Sequence, residues 1–156
     1  MLFHCSISAH DPSRVARVIA AIWRGEAHPF PPVDGAWIAI AGDDRGTAME
    51  VYPFGTDMLP GEAQTAFANN PAATEHSTSH QAIATRLTEA EVLAIAAAEG
   101  WRALHCNRGP FEVIEVWLEN RILVEVLTAD MQQQYLAFLT PANWRRFLAE
   151  AHAAGT

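Results

Sequence analysis

Residues 2 to 10 alternate without a break: Phe3, Cys5, Ile7 and Ala9 form an apolar row, and His4, Ser6, Ser8 and His10 a polar one. A period of two predicts a strand with a core behind it and water or a ligand in front. The period changes at Asp11-Pro12, a cap followed by a first-turn proline. Val15, Val18, Ile19 and Ile22 then recur at helical spacing until Gly25 ends the run. Pro29, Pro31 and Pro32 restrict residues 26–35 to an edge strand or extended loop. Residues 36–41 read as a buried strand, residues 42–46 as a turn, and residues 47–52 as the hairpin partner.

The same order then restarts. His80 to Thr85 reads as a strand, and Thr88-Glu89-Ala90-Glu91 is a capping box that opens a helix ending near Gly100. Trp101 to Cys106 is a third segment of strand type, followed by a turn at Asn107-Arg108-Gly109-Pro110. A hairpin, residues 112–119 and 122–128, folds around Asn120-Arg121. Between the halves, Pro53 to Ser79 reads as irregular, with a helical turn near Glu62 to Ala68; connections of this length often serve as lids. Two helices follow the second half, one from Met131 to Phe138 and one capped by Thr140-Pro141. Trp144, Phe147 and Leu148 give the last an apolar face that needs a docking surface. The fold class expected is α+β: two βαβββ modules, residues 1–54 and 79–129, with curved mixed sheets around a shared cavity. A linker (55–78) joins them and a helical extension (130–156) follows.

Composition narrows the partners. The chain has 156 residues, half of them hydrophobic, and a formal charge of −8. It has arginine but no lysine, and the acidic excess argues against nucleic acid or an anionic membrane. Cys5 and Cys106 lie in strand patterns and read as free thiols. With no signal-like or membrane-spanning run, the expected location is cytoplasmic.

The duplication also carries candidate chemistry. His4 recurs as His80 and Glu50 as Glu125, offsets of 76 and 75 residues. Alternation puts all four on the strand faces turned away from the helices. A carboxylate inside Ile122-Leu123-Val124-Glu125-Val126-Leu127 costs several kcal/mol to bury unless it is paired or metal-bound. Glu50, in Ala48-Met49-Glu50-Val51-Tyr52, poses the same problem. Two imidazoles and two carboxylates suit Zn, Ni, Co, Mn or Fe, with positions left for water or substrate.

With those residues in place, the sequence resembles the vicinal oxygen chelate superfamily, which includes glyoxalase I, extradiol dioxygenases, methylmalonyl-CoA epimerase and the fosfomycin and bleomycin resistance proteins. The resemblance spans roughly residues 2 to 128. It rests on His4 in Phe3-His4-Cys5-Ser6-Ile7, Glu50 in Ala48-Met49-Glu50-Val51, His80 in Ser79-His80-Gln81-Ala82-Ile83 and Glu125 in Leu123-Val124-Glu125-Val126. It implies His4, Glu50, His80 and Glu125 as ligands of one divalent metal, with Glu125 or Glu50 shuttling a proton. It also implies a homodimer acting on a small oxygen-chelating organic substrate by lyase or isomerase chemistry. Two alternatives stay open: a metal-free binding or resistance protein, and a ring-cleaving Fe(II) dioxygenase using His4, His80 and Glu125.

Other residues have plainer readings. His76 and His80 have a ligand-like spacing for a helix, but Ser77-Thr78-Ser79 between them disfavours one. His10, His28, His105 and His152 read as surface or rim residues. Trp37, Tyr52 and Trp117 read as packing before substrate recognition, and Glu112, Glu115 and Glu119 as a solvated or inter-subunit face. Cys106 lacks a base on its own face.

Overall fold

In the computed structural model, which describes residues 2–154, the first alternating run forms β1 (His4–Ala9). Asp11 caps α1 (Pro12–Trp23), its side chain accepting from the Arg14 backbone N–H at 2.9 Å, with Pro12 at the start. The helix ends one residue before the glycine: Arg24 adopts the left-handed conformation (φ 57°) and the Gly25 N–H bonds back to the Ala20 carbonyl at 2.8 Å. Gly25 is required for a different reason. A Cβ there would lie 2.0 Å from the Ile40 carbonyl oxygen.

Next come β2 (Glu26–Pro29), β3 (Trp37–Ile40) and β4 (Ala48–Pro53). They form one mixed sheet in the order β1-β4-β3-β2, with β1 parallel to β4 and the other pairs antiparallel. The second half repeats this with β7 (Gln81–Ala84), α2 (Glu89–Ala98), β8 (Ala103–Asn107), β9 (Glu112–Leu118) and β10 (Ile122–Leu127). Its sheet order is β7-β10-β9-β8, with β7 parallel to β10. The two modules therefore share one topology. Thr88 and Glu91 form the expected capping box.

The linker differs from its sequence reading. It contains an antiparallel hairpin, β5 (Thr56–Pro60) and β6 (Thr65–Asn69), where irregular chain and a helical turn were expected. Phe67 of this hairpin stacks on Tyr52 at 5.5 Å between centroids, so the hairpin lies over the first module's sheet. Beyond the second module, α3 (Ala129–Phe138) and α4 (Pro141–Ala154) follow. Trp144 and Phe147 pack on Phe138 of α3, yet both remain partly exposed, as does Leu148. None of the described helices is long and apolar enough to cross a membrane.

A single apolar cluster joins the modules. Ile7, Met49 and Val51 pack on Val15, Ile19 and Ile22 of α1, while Ile114, Val116, Val124 and Val126 pack with Val92 and Ala96 of α2. Fully burying one such aliphatic side chain contributes about 1.5–3 kcal/mol. Polar contacts then fix the relative placement of the halves. The Thr85 hydroxyl donates to the Ile22 carbonyl, Arg14 pairs with Glu99, and the Glu119 carboxylate accepts from the backbone N–H groups of His10 and Asp11 at 2.8 and 2.7 Å. Each sheet uses one face for this core, leaving the other for chemistry.

Candidate functional site

Strand register creates two equivalent corners. In the first module His4 sits beside Ala48 and Ser6 beside Glu50, so His4 and Glu50 are diagonal neighbours on the face opposite α1. In the second, Ala82 sits beside Glu125, and His80 precedes Ala82 by two residues as His4 precedes Ser6. The strand register around Glu50 and Glu125 is therefore repeated. His80 itself lies just outside β7, with Nδ1 3.3 Å from the Thr78 carbonyl oxygen.

The two corners are not equivalent chemically. At the first, Glu50 receives the Ser6 and Tyr52 hydroxyls, each at 2.9 Å and both on Oε2. Its other oxygen, Oε1, lies 3.9 Å from His4 Nε2. That is too long for a hydrogen bond, and longer than the roughly 3.0–3.4 Å between adjacent ligands on bonds of about 2.1 Å, so a shared ion would draw the two closer. The His4 side chain is 61% exposed and Glu50 16%, so an accessible imidazole meets an oriented carboxylate. Tyr52 is a constant donor: burial, then its bond to Glu50 and that residue's charge, push its pKa up to about 12.

At the second corner a cation is already present. Arg108, just after β8, reaches across the sheet to Glu125 Oε1 with Nη2 at 2.7 Å and Nε at 3.2 Å. The same Nη2 donates to Glu115 Oε1 at 2.6 Å, and the Trp117 indole N–H donates to Glu115 Oε2 at 3.1 Å. Arg108 first, then burial and the Trp117 bond, act on Glu115, with a net lowering of its pKa. The sequence reading treated Arg108 as a turn residue. What pointed to a partner was Glu125 itself, a carboxylate inside an apolar strand.

His4 and His80 line one groove between the modules, about 1220 Å³, together with Phe3, His28, Gln81 and Tyr135. Gln81 Oε1 is buried there without a protein hydrogen-bond donor. A smaller cavity of about 320 Å³ lies under the linker; Ser6, Ser8, Tyr52, Ser77 and Arg121 are among its walls. Among the described residues, no three His, Cys, Asp or Glu side chains converge closely enough to hold one ion. The structure thus joins His4 to Glu50, sets His80 on the same groove, and gives Glu125 to Arg108. The first corner brings together two side chains of metal-ligand type, His4 and Glu50. At the second, a guanidinium occupies the carboxylate.

The other candidates fall into place. Trp37 lies under the Arg17 guanidinium at 5.0 Å, and His10 stacks with Phe54 at 4.5 Å. His105 lies between Glu89 and Glu112, and His28 bonds Glu26. Burial, then the negative charge of Glu115, raise the Cys106 pKa, which disfavours a thiolate nucleophile.

No protein-family model matches the sequence, and no curated protein matches it. Solved structures do match, at full probability. Fosfomycin resistance protein FosX from Listeria monocytogenes, complexed with Mn(II) and sulfate, aligns over 88% of this chain and 97% of its own, with 13% identity and a TM-score of 0.56. The trypanothione-dependent glyoxalase I of Leishmania major aligns over 88% and 92%, with 14% identity and a TM-score of 0.52. A glyoxalase/bleomycin resistance protein/dioxygenase domain from Frankia sp. EAN1pec aligns over 82% and 96%, with 10% identity and a TM-score of 0.53. This chain has the vicinal oxygen chelate fold. At such identities the likeness concerns the scaffold, and vicinal oxygen chelate scaffolds carry several chemistries.

Proposed function

We propose that this chain is a divalent-metal-dependent, glyoxalase-like enzyme acting on a small organic substrate that offers adjacent oxygens. The observation that carries this reading is the His4–Glu50 corner. Glu50 is held by Ser6 and Tyr52 through one oxygen, and its other oxygen faces an accessible imidazole at 3.9 Å. His4 and Glu50 are the principal ligands for Zn, Ni, Co, Mn or Fe, and His80, which lines the same groove as His4, would have to move toward them to serve as a third donor. The Mn(II) bound to FosX supports a divalent ion on this scaffold. Such a metal would polarise substrate oxygens and acidify an adjacent C–H bond.

The chain's own residues supply the remainder. Ser6 and Tyr52 fix the orientation of Glu50 through Oε2, so Oε1 is the oxygen that would bind the metal, and it would take up or return a proton only on leaving the ion. Glu125, engaged by Arg108, is not available for that role in this conformation. Glu50 is therefore the proton carrier of the two candidate glutamates. The groove wall formed by Phe3 and Tyr135 supplies apolar surface against the body of a substrate. A homodimer fits the partly exposed Trp144, Phe147 and Leu148 of α4.

A second reading, a metal-free small-molecule binding or resistance protein, is favoured by the Arg108–Glu125 pair and by the lack of a three-donor cluster among the described residues. A ring-cleaving Fe(II) dioxygenase would need Glu125 free of Arg108, and is the less supported. Thermal denaturation with each metal ion separates the first two. A metal that binds the native state raises Tm, by an amount that grows with the logarithm of its concentration over Kd. The enzyme reading expects a rise that His4→Ala abolishes; no rise with any of the five ions supports the metal-free reading.

A further inference from the structure

The two corners share a register but not a charge state. At the first, a carboxylate oxygen faces an imidazole, and among the described residues no arginine bonds it. At the second, Arg108 bonds Glu125 twice and Glu115 once, and Trp117 holds Glu115 in place. Arg108 comes from the end of β8, while Glu115 and Glu125 face each other across β9 and β10. Both carboxylate side chains are largely buried, at 15% and 11% exposed, so the guanidinium offsets much of their mutual repulsion. A forked guanidinium suits this better than a lysine, since one planar group reaches both carboxylates.

We propose that Arg108 is a built-in cation that takes the place of a metal ion at the second corner, so that Glu125 is not a metal ligand and any ion is confined to the His4–Glu50 corner. This rests on the proposed function for the ion itself, but not for the behaviour of the second corner. The two sheets repeat the register around Glu50 and Glu125, and a guanidinium fills the second corner alone. Removing Arg108 leaves Glu125 and Glu115 side by side across β9 and β10. Paired carboxylates are donors that a divalent ion takes.

The test is Mn(II) binding, followed by titration calorimetry and by the electron paramagnetic resonance signal of free Mn(II). The proteins are the wild type, Glu125→Gln, Arg108→Gln and Arg108→Gln/Glu125→Gln. The proposal expects Glu125→Gln to bind Mn(II) as the wild type does. Arg108→Gln gains one equivalent over the wild type, and the double variant loses it again. Loss of wild-type binding in Glu125→Gln would overturn it, as would no gain in Arg108→Gln. If Arg108→Gln does not fold, Arg108→Gln/Glu115→Gln removes one negative charge with the cation and asks the same question. There a gain in binding that needs Glu125 supports the proposal, and no gain overturns it. A wild type that binds no Mn(II), beside an Arg108→Gln variant that does, refutes the proposed function for that ion while upholding the role of Arg108.

Discussion

Replacing Tyr52 with phenylalanine isolates the contact that orients Glu50. The hydroxyl donates to Glu50 Oε2 at 2.9 Å, and Tyr52 is only 5% exposed. Phenylalanine keeps the ring stacked on Phe67 at 5.5 Å and edge-on to Phe30 at 6.0 Å, so the substitution removes little packing. A hydrogen bond to a charged acceptor contributes about 1.5–3 kcal/mol. Glu50 is partly exposed and keeps the Ser6 hydroxyl, which places the expected loss near the lower end, about 1.5 kcal/mol. Urea denaturation at pH 7 of the wild type, Tyr52→Phe, Glu50→Ala and the double variant gives the coupling directly. If Tyr52→Phe costs as much without Glu50 as with it, the contact contributes nothing and the orientation argument fails. The same contact has an alkaline signature. An unfolded tyrosine ionises near 10.0, whereas burial and Glu50 hold Tyr52 protonated to about 12. The folded state therefore keeps a proton that the unfolded state has released. This contribution is complete below pH 10, shrinks as pH rises toward 12, and amounts to roughly 3 kcal/mol. Tyr52→Phe should flatten that decline.

Gly25→Ala should cost about 3 kcal/mol, because its Cβ would lie 2.0 Å from the Ile40 carbonyl oxygen and the β2–β3 pair would have to shift. A loss below about 1 kcal/mol in urea denaturation would mean that the turn relaxes freely. Thr88→Ala should cost about 1 kcal/mol by removing the cap of α2, with Thr88→Ser nearly neutral. His105 should titrate above the usual histidine value of 6.5, chiefly because Glu89 bonds its imidazolium form. That contribution is present below pH 6.5 and is lost as pH rises through the folded-state value. In NMR titration Glu89→Gln should bring the midpoint down, and an unchanged midpoint would contradict the pairing.

Much of the fold can be read from local pattern because periodicity and capping residues act locally. The alternation of residues 2–10 forms β1, Asp11-Pro12 opens α1, and Thr88 with Glu91 opens α2. The β5–β6 hairpin was missed because Thr65-Ala66-Phe67-Ala68-Asn69 is short and wholly exposed, with no buried row to mark its period. Its stability comes from pairing and from Phe67 on Tyr52, contacts that local sequence does not display. The strand face of Glu50 and of Glu125 followed from alternation. The difference between the two corners did not, because it depends on Arg108, 17 residues from Glu125 along the chain. A buried carboxylate demands a partner, but only the sheet order shows that the partner is a guanidinium.

The central claim is that the His4–Glu50 corner holds a divalent metal. Elemental mass spectrometry on untagged protein, beside His4→Ala and Glu50→Gln variants, tests it most directly. The account predicts about one equivalent of Zn, Ni, Co, Mn or Fe in the wild type and little in either variant. No metal in the wild type after reconstitution with each of the five ions, or metal retained in both variants, would contradict it.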